Sequence, residues 1–159
     1  VQSLSRLNVR RAALEEATTI AEILRTAFLT YEAQYIPAAF AATTPTAEVI
    51  AQRWGEGPVW VATQAETLIG TVAAVPKPHG LYVRSMAVLP TARGLGTGQR
   101  LLEQVESFAH EHNLPQLYLS TTPFLFNAIH LYERFGFRRT DDGPHDLFGT
   151  PLLTMKKVL

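Results

Sequence analysis

Three glycines at positions 94, 96 and 98 stand where an anion could be held. They lie in Val88-Leu89-Pro90-Thr91-Ala92-Arg93-Gly94-Leu95-Gly96-Thr97-Gly98-Gln99-Arg100-Leu101-Leu102, between the end of an expected strand and the start of an expected helix. Residues without a Cβ let the backbone turn tightly and approach a ligand closely. The first amides of a helix have no internal acceptors, and the helix dipole makes that end positive. Together these features suit a phosphate or a diphosphate. The same pattern also fits a plain strand-to-helix connection that binds nothing, because short glycine motifs recur by chance.

Two known phosphate motifs fit poorly. A P-loop ends in Gly-Lys-Ser/Thr, whereas Gly98 is followed by Gln99-Arg100. A dinucleotide-binding turn reads GxGxxG and needs an acidic residue ~20 positions on. Here the third glycine comes one residue early, and the next expected strand ends in Ser120-Thr121-Thr122 without a carboxylate. Other chemistries are narrowed by residue type. With no cysteine, thiolate catalysis, disulfides and Cys-based zinc sites are excluded. The histidines at 79, 110, 112, 130 and 145 form no HxxxH or HExxH pair, so no metal site is expected.

The elements that must position the turn follow from periodicity. Residues 7–12 read as a first strand. Ile20, Ile23, Leu24, Ala27 and Phe28 recur at helical spacing within a helix over 15–28, and Glu15 and Glu16 suit its start. The stretch 31–45 is irregular. A second helix is expected from Pro45 to about Trp54, since proline favours the first helical position. Residues 59–63 and 68–75 read as an antiparallel hairpin, and 81–88 as a fourth strand ended by Pro90. A helix over 97–112 buries Leu101, Leu102, Val105, Phe108 and Ala109. A fifth strand at 116–120, a helix from Pro123 to Phe135 stopped by Gly136, and closing strands at 137–140 and 151–156 complete the order. One crossover unit mixed with hairpins predicts a single α/β (α+β) domain over 1–159 with a mixed, mostly antiparallel sheet.

Size and charge agree with one ordinary globular domain. The chain has 159 residues, 47% of them apolar, and its fourteen basic residues balance fourteen acidic ones. A neutral chain has no general pull on nucleic acid or anionic membrane, so neither is expected as a partner. No apolar run approaches the ~20 residues that span a bilayer, and no signal-peptide pattern opens the chain. A cytoplasmic protein is the default expectation.

The sequence resembles the GNAT superfamily of N-acetyltransferases. That family's diphosphate motif, Arg/Gln-x-x-Gly-x-Gly/Ala, stands here as Arg93-x-x-Gly96-x-Gly98. The lead-in Ser85-Met86-Ala87-Val88-Leu89-Pro90 is similar to the family strand before it. The family segment Leu-Tyr-Glu-x-x-Gly-Phe stands as Leu131-Tyr132-Glu133-Arg134-Phe135-Gly136-Phe137. The two motifs come in the family's order and are separated by a strand.

The resemblance implies acetyl-CoA as cosubstrate and no metal. It implies that the strands at 81–88 and 116–120 splay apart to admit the pantetheine arm. Met86 and Val88, with Ala87 between them, would offer it backbone groups. The amides of Arg93, Gly94, Leu95, Gly96, Thr97 and Gly98 would hold the diphosphate. The Val88 amide would face the developing oxyanion. Tyr132 would be the general acid that protonates the thiolate, its phenol near pKa 10 matching a thiol leaving group. A bland alternative for Tyr132 is a helix residue packed on its neighbours.

Two family features are missing. The asparagine often found seven residues before the tyrosine is Leu125. Asn127 lies about 140° round the helix from Tyr132 and is expected to face elsewhere. The frequent glutamate base on the strand before the turn is absent, for that strand offers Tyr82, Arg84 and Ser85. A water relay or an amine arriving with its pKa already low would replace it; Glu32, His79 and His145 are further candidates, each read first as a surface residue. The loop around His145-Asp146 is expected to line an acceptor pocket with the 31–40 segment. The reading is an N-acetyltransferase acting on a primary amine, with a small molecule favoured over a protein as acceptor. The alternative is a non-catalytic acyl-CoA-binding regulatory module. Homodimers are common in the family, but no interface is specified by the sequence.

Overall fold

A computed structural model describes residues 6–142 and 145–159. Strand β1 (Leu7–Arg11) leads into a 3-10 turn (Leu14–Glu16) and helix α1 (Ala17–Phe28). A further 3-10 stretch (Leu29–Gln34) precedes α2 (Pro37–Thr43) and α3 (Ala47–Gln52). Strands β2 (Val59–Gln64), β3 (Thr67–Lys77) and β4 (Gly80–Val88) follow as a meander, and a 3-10 turn (Pro90–Ala92) leads to α4 (Thr97–Glu111). The chain closes with β5 (Gln116–Thr121), α5 (Phe126–Phe135), β6 (Arg138–Arg139), β7 (His145–Leu147) and β8 (Thr150–Val158).

The sheet runs β1-β2-β3-β4-β5-β8-β6, with β7 also on β8. Every pairing is antiparallel except β4 with β5. That parallel contact consists of two residue pairs, Leu81 with Leu117 and Tyr82 with Tyr118. Beyond them the fourth and fifth strands diverge, as expected.

The two faces of the sheet are covered by different helices. Leu101, Leu102, Val105, Phe108 and Ala109 of α4 are buried against Trp60, Leu81, Val83, Leu117 and Met155. On the other face Ile20, Ile23, Leu24 and Ala27 of α1 pack with Ile50, Val61 and Ala87. Burying each such large aliphatic chain contributes about 1.5–3 kcal/mol. These two layers clamp β4, the strand that feeds the glycine turn.

Four elements depart from expectation. The 31–45 stretch contains α2, which begins with Pro37 in its first turn. Helix α3 starts after the N-cap Thr46, whose hydroxyl accepts from the Val49 amide, and not at Pro45. Helix α5 starts at Phe126, three residues later than Pro123. The expected loop around His145 forms β7, joined to β8 by the turn Phe148-Gly149. Part of that loop, Gly143 and Pro144, lies outside the described residues.

Two stability tests arise here. A Cβ at Gly57 would lie 2.0 Å from the Ala74 carbonyl oxygen and 3.0 Å from Pro76 Cδ. Gly57→Ala must therefore push β3 aside. It is expected to cost about 1–3 kcal/mol, read as a fall of roughly 2–4 °C in Tm per kcal/mol. Separately, Glu16 accepts two hydrogen bonds from Arg10, at 2.9 and 2.7 Å, and one from the Ala13 amide at 2.8 Å. The Arg10 guanidinium pulls the Glu16 carboxyl down from 4.5 to about 2. A depressed carboxylate stabilises the fold above its unfolded pKa, and the gain is lost as pH falls through the folded value. Glu16→Gln should therefore flatten the loss of stability between about pH 4.5 and 2, checked by acid unfolding of both proteins.

Candidate active site

The site begins with a fault in β4. Thr71 pairs with Ala87 and Ala73 with Arg84, so β4 spends one extra residue over that interval. Ser85 sits there in left-handed backbone, φ 53°, a conformation that costs a residue with a Cβ roughly 1–2 kcal/mol. The Leu89 amide donates to the Ile69 carbonyl at 2.8 Å and so faces β3. Strand alternation then turns the amide and carbonyl of Val88 the other way, toward the gap that β5 has left.

The glycine turn follows directly. Gly94 and Gly96 have φ of 82° and 78°, and open space lies where their Cβ atoms would be. These positive angles are the reason for glycine at both places. The Arg93 amide donates to the Pro90 carbonyl at 3.4 Å, so it is already engaged. The amides of residues 94–99 meet no backbone carbonyl among the described residues, and the first helical bond of this end runs from Arg100 to Gly96. The free run is thus shifted by one from the expected 93–98.

Gly98 serves a different purpose. Its Cβ would fall 2.6 Å from Leu131 Cδ2, so its absence lets α4 and α5 approach each other. Thr97 is buried, and its hydroxyl has no hydrogen-bond partner among the described residues.

A cleft of about 520 Å³ joins these parts. Met86, Ala87 and Val88 line it from β4, and Arg93, Gly94, Gly96, Thr97 and Gly98 from the turn. Tyr132 lines it from α5. Leu95 is half exposed and does not line it. Nine of the ten residues singled out by sequence therefore meet around one cavity.

Sequence reasoning missed several others. Asn127, His130, Leu131 and Arg134 line the cleft from α5, and Ala27, Phe28 and Tyr31 wall it from the N-terminal side. The expectation that Asn127 faces elsewhere is corrected. The cleft runs along α5 from Asn127 to Arg134 and takes residues from more than half of the helix circumference, so an offset of about 140° from Tyr132 does not carry Asn127 out of it. The spacing 127, 130, 131, 134 was a legible helical stripe.

Tyr132 is the buried titratable group of this cavity. Burial, with a smaller push from nearby Tyr35, raises its phenol from 10 to about 12. Its ring meets Phe137 edge-on, the centroids 5.7 Å apart. The charged groups that line the cleft are Arg93 and Arg134, and no described lining residue is a carboxylate. No group of three or more acidic, histidine or cysteine side chains that could hold a metal exists among the described residues.

The proposed substitutes for a base lie apart from this cavity. The His79 ring is 4.8 Å from Tyr118, at the opposite end of β4. Glu32 does not line the cleft. His145 is exposed on β7, and the Asp146 carboxylate accepts from the Gly149 amide at 2.8 Å. The expected lining role of these two is corrected. It is Leu147 of the same strand that packs with Tyr35 and Phe40, while the Thr150 hydroxyl accepts from the Ile36 amide. The hairpin thus braces the cleft wall from behind.

This geometry has counterparts. The profile of the acetyltransferase (GNAT) family matches residues 19–137. The chain is 37% identical over 97 residues to the IAA acetyltransferase of Azospirillum brasilense, covering 60% of this chain and 62% of that one. It is 33% identical over 87 residues to N-acetyltransferase 8B of Rattus norvegicus, covering 51% and 39%. The chain thus spans less than two thirds of the length of these curated relatives. Among solved structures, the PaiA N-acetyltransferase of Thermoplasma acidophilum in complex with coenzyme A shares the fold at TM-score 0.81 and 17% identity, over 97% of this chain and 99% of that one. A GNAT family acetyltransferase of Elizabethkingia anophelis with acetyl-CoA bound does so at 0.71 and 19%, over 96% and 98%. With three quarters of its length matched by the family profile, the chain belongs to the acetyltransferase (GNAT) family.

Proposed function

We propose that this protein transfers an acetyl group from acetyl-CoA to a primary amine, by direct attack of the amine. The observation that carries this reading is a single cleft with the free amides of Gly94 and residues 96–99 at one end and the Tyr132 phenol in its wall. The residues fit the cosubstrate. The amides and the positive end of α4 suit a diphosphate, and the space beside Gly94 and Gly96 lets it approach the backbone. The unpartnered Thr97 hydroxyl offers one more polar contact within the same wall.

Acetyl-CoA supplies the activated acyl group. The chain's own residues do the rest. The backbone of Met86 and Val88 holds the pantetheine arm at the open edge of β4, and the Val88 amide donates to the oxygen on which charge develops. Tyr132 gives its proton to the departing sulfur. No carboxylate lines the cleft among the described residues, so the amine reaches the site neutral or loses its proton to water. The acceptor is read as a small molecule ahead of a protein, since a chain with no net charge has no general pull on a strongly charged macromolecule.

The missing carboxylate is also the observation that favours a second reading, a module that binds acyl-CoA without turning it over. Calorimetry with acetyl-CoA, ATP and NAD, followed by thiol release across a panel of primary amines, separates the two. Binding of acetyl-CoA alone with amine-dependent thiol release is expected. Binding without release for any amine would establish the module, and preference for ATP or NAD would remove both.

A further inference from the structure

A second concavity, about 530 Å³, lies on the other face of the sheet. Leu81 and Val83 pack toward α4, so strand alternation turns Tyr82 and Arg84 away from it. The lining residues are Glu56, Val75, Lys77, Tyr82, Arg84 and Tyr118. Its floor is aromatic. The Tyr82 and Tyr118 rings lie 5.2 Å apart, inclined by 39°, and the His79 ring continues the row 4.8 Å from Tyr118.

The charge of this hollow is unbalanced. Arg84 pairs with Glu56 at 2.5 Å. Arg53 and Lys77 also act on the same carboxyl and help to hold it below its usual range. Three cations thus share one carboxylate. A fourth, Lys156, stands across from Tyr118 in β8 and is paired with Asp142 at 2.9 Å. An excess of positive charge beside a floor of tilted aromatic rings suits an anion carried on a flat ring.

Its position ties it to the gap. The pair Tyr82–Tyr118 is the last between β4 and β5 before the strands part. A molecule lying on those rings is therefore at the closed end of the gap, from which β4 runs on to Val88. Four residues of strand separate Arg84 from Val88, on the order of 13 Å.

We propose that this hollow selects the acceptor by binding a ring-borne carboxylate, and that the acceptor is an elongated aryl acid whose primary amine lies on the order of 10 Å from that carboxylate. The inference rests on the acetyltransferase reading and deepens it by naming the substrate class. An α-amino acid, with amine and carboxylate on one carbon, cannot satisfy both ends.

The test uses two matched amines, para-(aminobutyl)benzoate and its carboxamide twin, which differ in the anion alone. The benzoate is expected to show a KM about tenfold below that of the carboxamide, the worth of one charge-assisted hydrogen bond. Lys77→Gln with Arg84→Gln should raise the benzoate KM by about that factor while the acetyl-CoA KM stays put. Lys77→Gln alone, at an exposed position, should give part of the same rise and guards against misfolding of the double variant. Equal KM values for the twins, or no rise in either variant, overturn the inference and leave the acetyltransferase standing.

If neither amine is acetylated, para-butylbenzoate and para-butylbenzamide decide by NMR on the Tyr82 and Tyr118 ring signals. Shifts with the benzoate alone support the hollow as an aryl-carboxylate site and count against the transferase reading. Equal shifts, or none, sink the inference.

Discussion

Tyr132→Phe is expected to lower turnover about 100-fold, the bottom of the range for losing a general acid. The low figure follows from the cavity. An ordinary phenol near pKa 10 would match a thiolate well, but burial lifts this one to about 12 and makes it a weaker donor. The same burial keeps it protonated. A group whose raised pKa preserves the acid form stays competent until pH climbs through that value. Turnover per unit substrate should therefore rise as the acceptor's ammonium loses its proton and show no alkaline downturn below about pH 11. Tyr132→Phe should keep the shape of that profile and its acetyl-CoA affinity while scaling the rate down. Wild-type and variant pH–rate curves check this, and a variant that binds acetyl-CoA normally at undiminished rate would reduce Tyr132 to a packing residue.

The double change Gly94→Ala and Gly96→Ala is expected to weaken acetyl-CoA binding by roughly 30- to 1000-fold. Both residues hold left-handed backbone. Adding a Cβ in that region costs about 1–2 kcal/mol per residue, and neither position offers a contact in return. The turn relaxes, and the ligand must restore the arrangement of amides before it can use them. Leu95→Ala between them should leave affinity where it was, because the half-exposed Leu95 side chain lies outside the cleft. Calorimetric titration of the variants measures the difference, and a double variant within threefold of the original would show that the amides are not what grips the diphosphate.

Much of the frame was legible because it rests on short-range rules. The antiparallel hairpin of 59–63 and 68–75, the helical stripe of α4 and the left-handed stop at Gly136, φ 110°, all appear in the structure. The elements that escaped depend on partners distant in sequence. Helix α2 has Ala-rich turns with no wide apolar stripe, and it is held by Tyr35, Ala39 and Phe40 against Phe124 and Leu147. Strand β7 has three residues and exists because β8 offers it an edge. In the site, residue types revealed the glycine turn, while the shift of its free amides from 93 to 94 depends on how the Pro90 turn closes. The hollow on the other face was invisible because Tyr82, Arg84 and Tyr118 read singly as strand residues.

The narrow contact between β4 and β5 has a mechanical meaning. Two plates of sheet, one ending in β4 and one beginning with β5, are riveted at Leu81–Leu117 and Tyr82–Tyr118. Past the rivets each plate presents a bare edge toward the other. Such a joint can rock with little loss of hydrogen bonding, and anything wedged in the opening with polar groups on both sides becomes a strut. Occupancy of the opening would then be felt across the whole molecule as rigidity, in hydrogen-exchange rates at both edges before any change in outline.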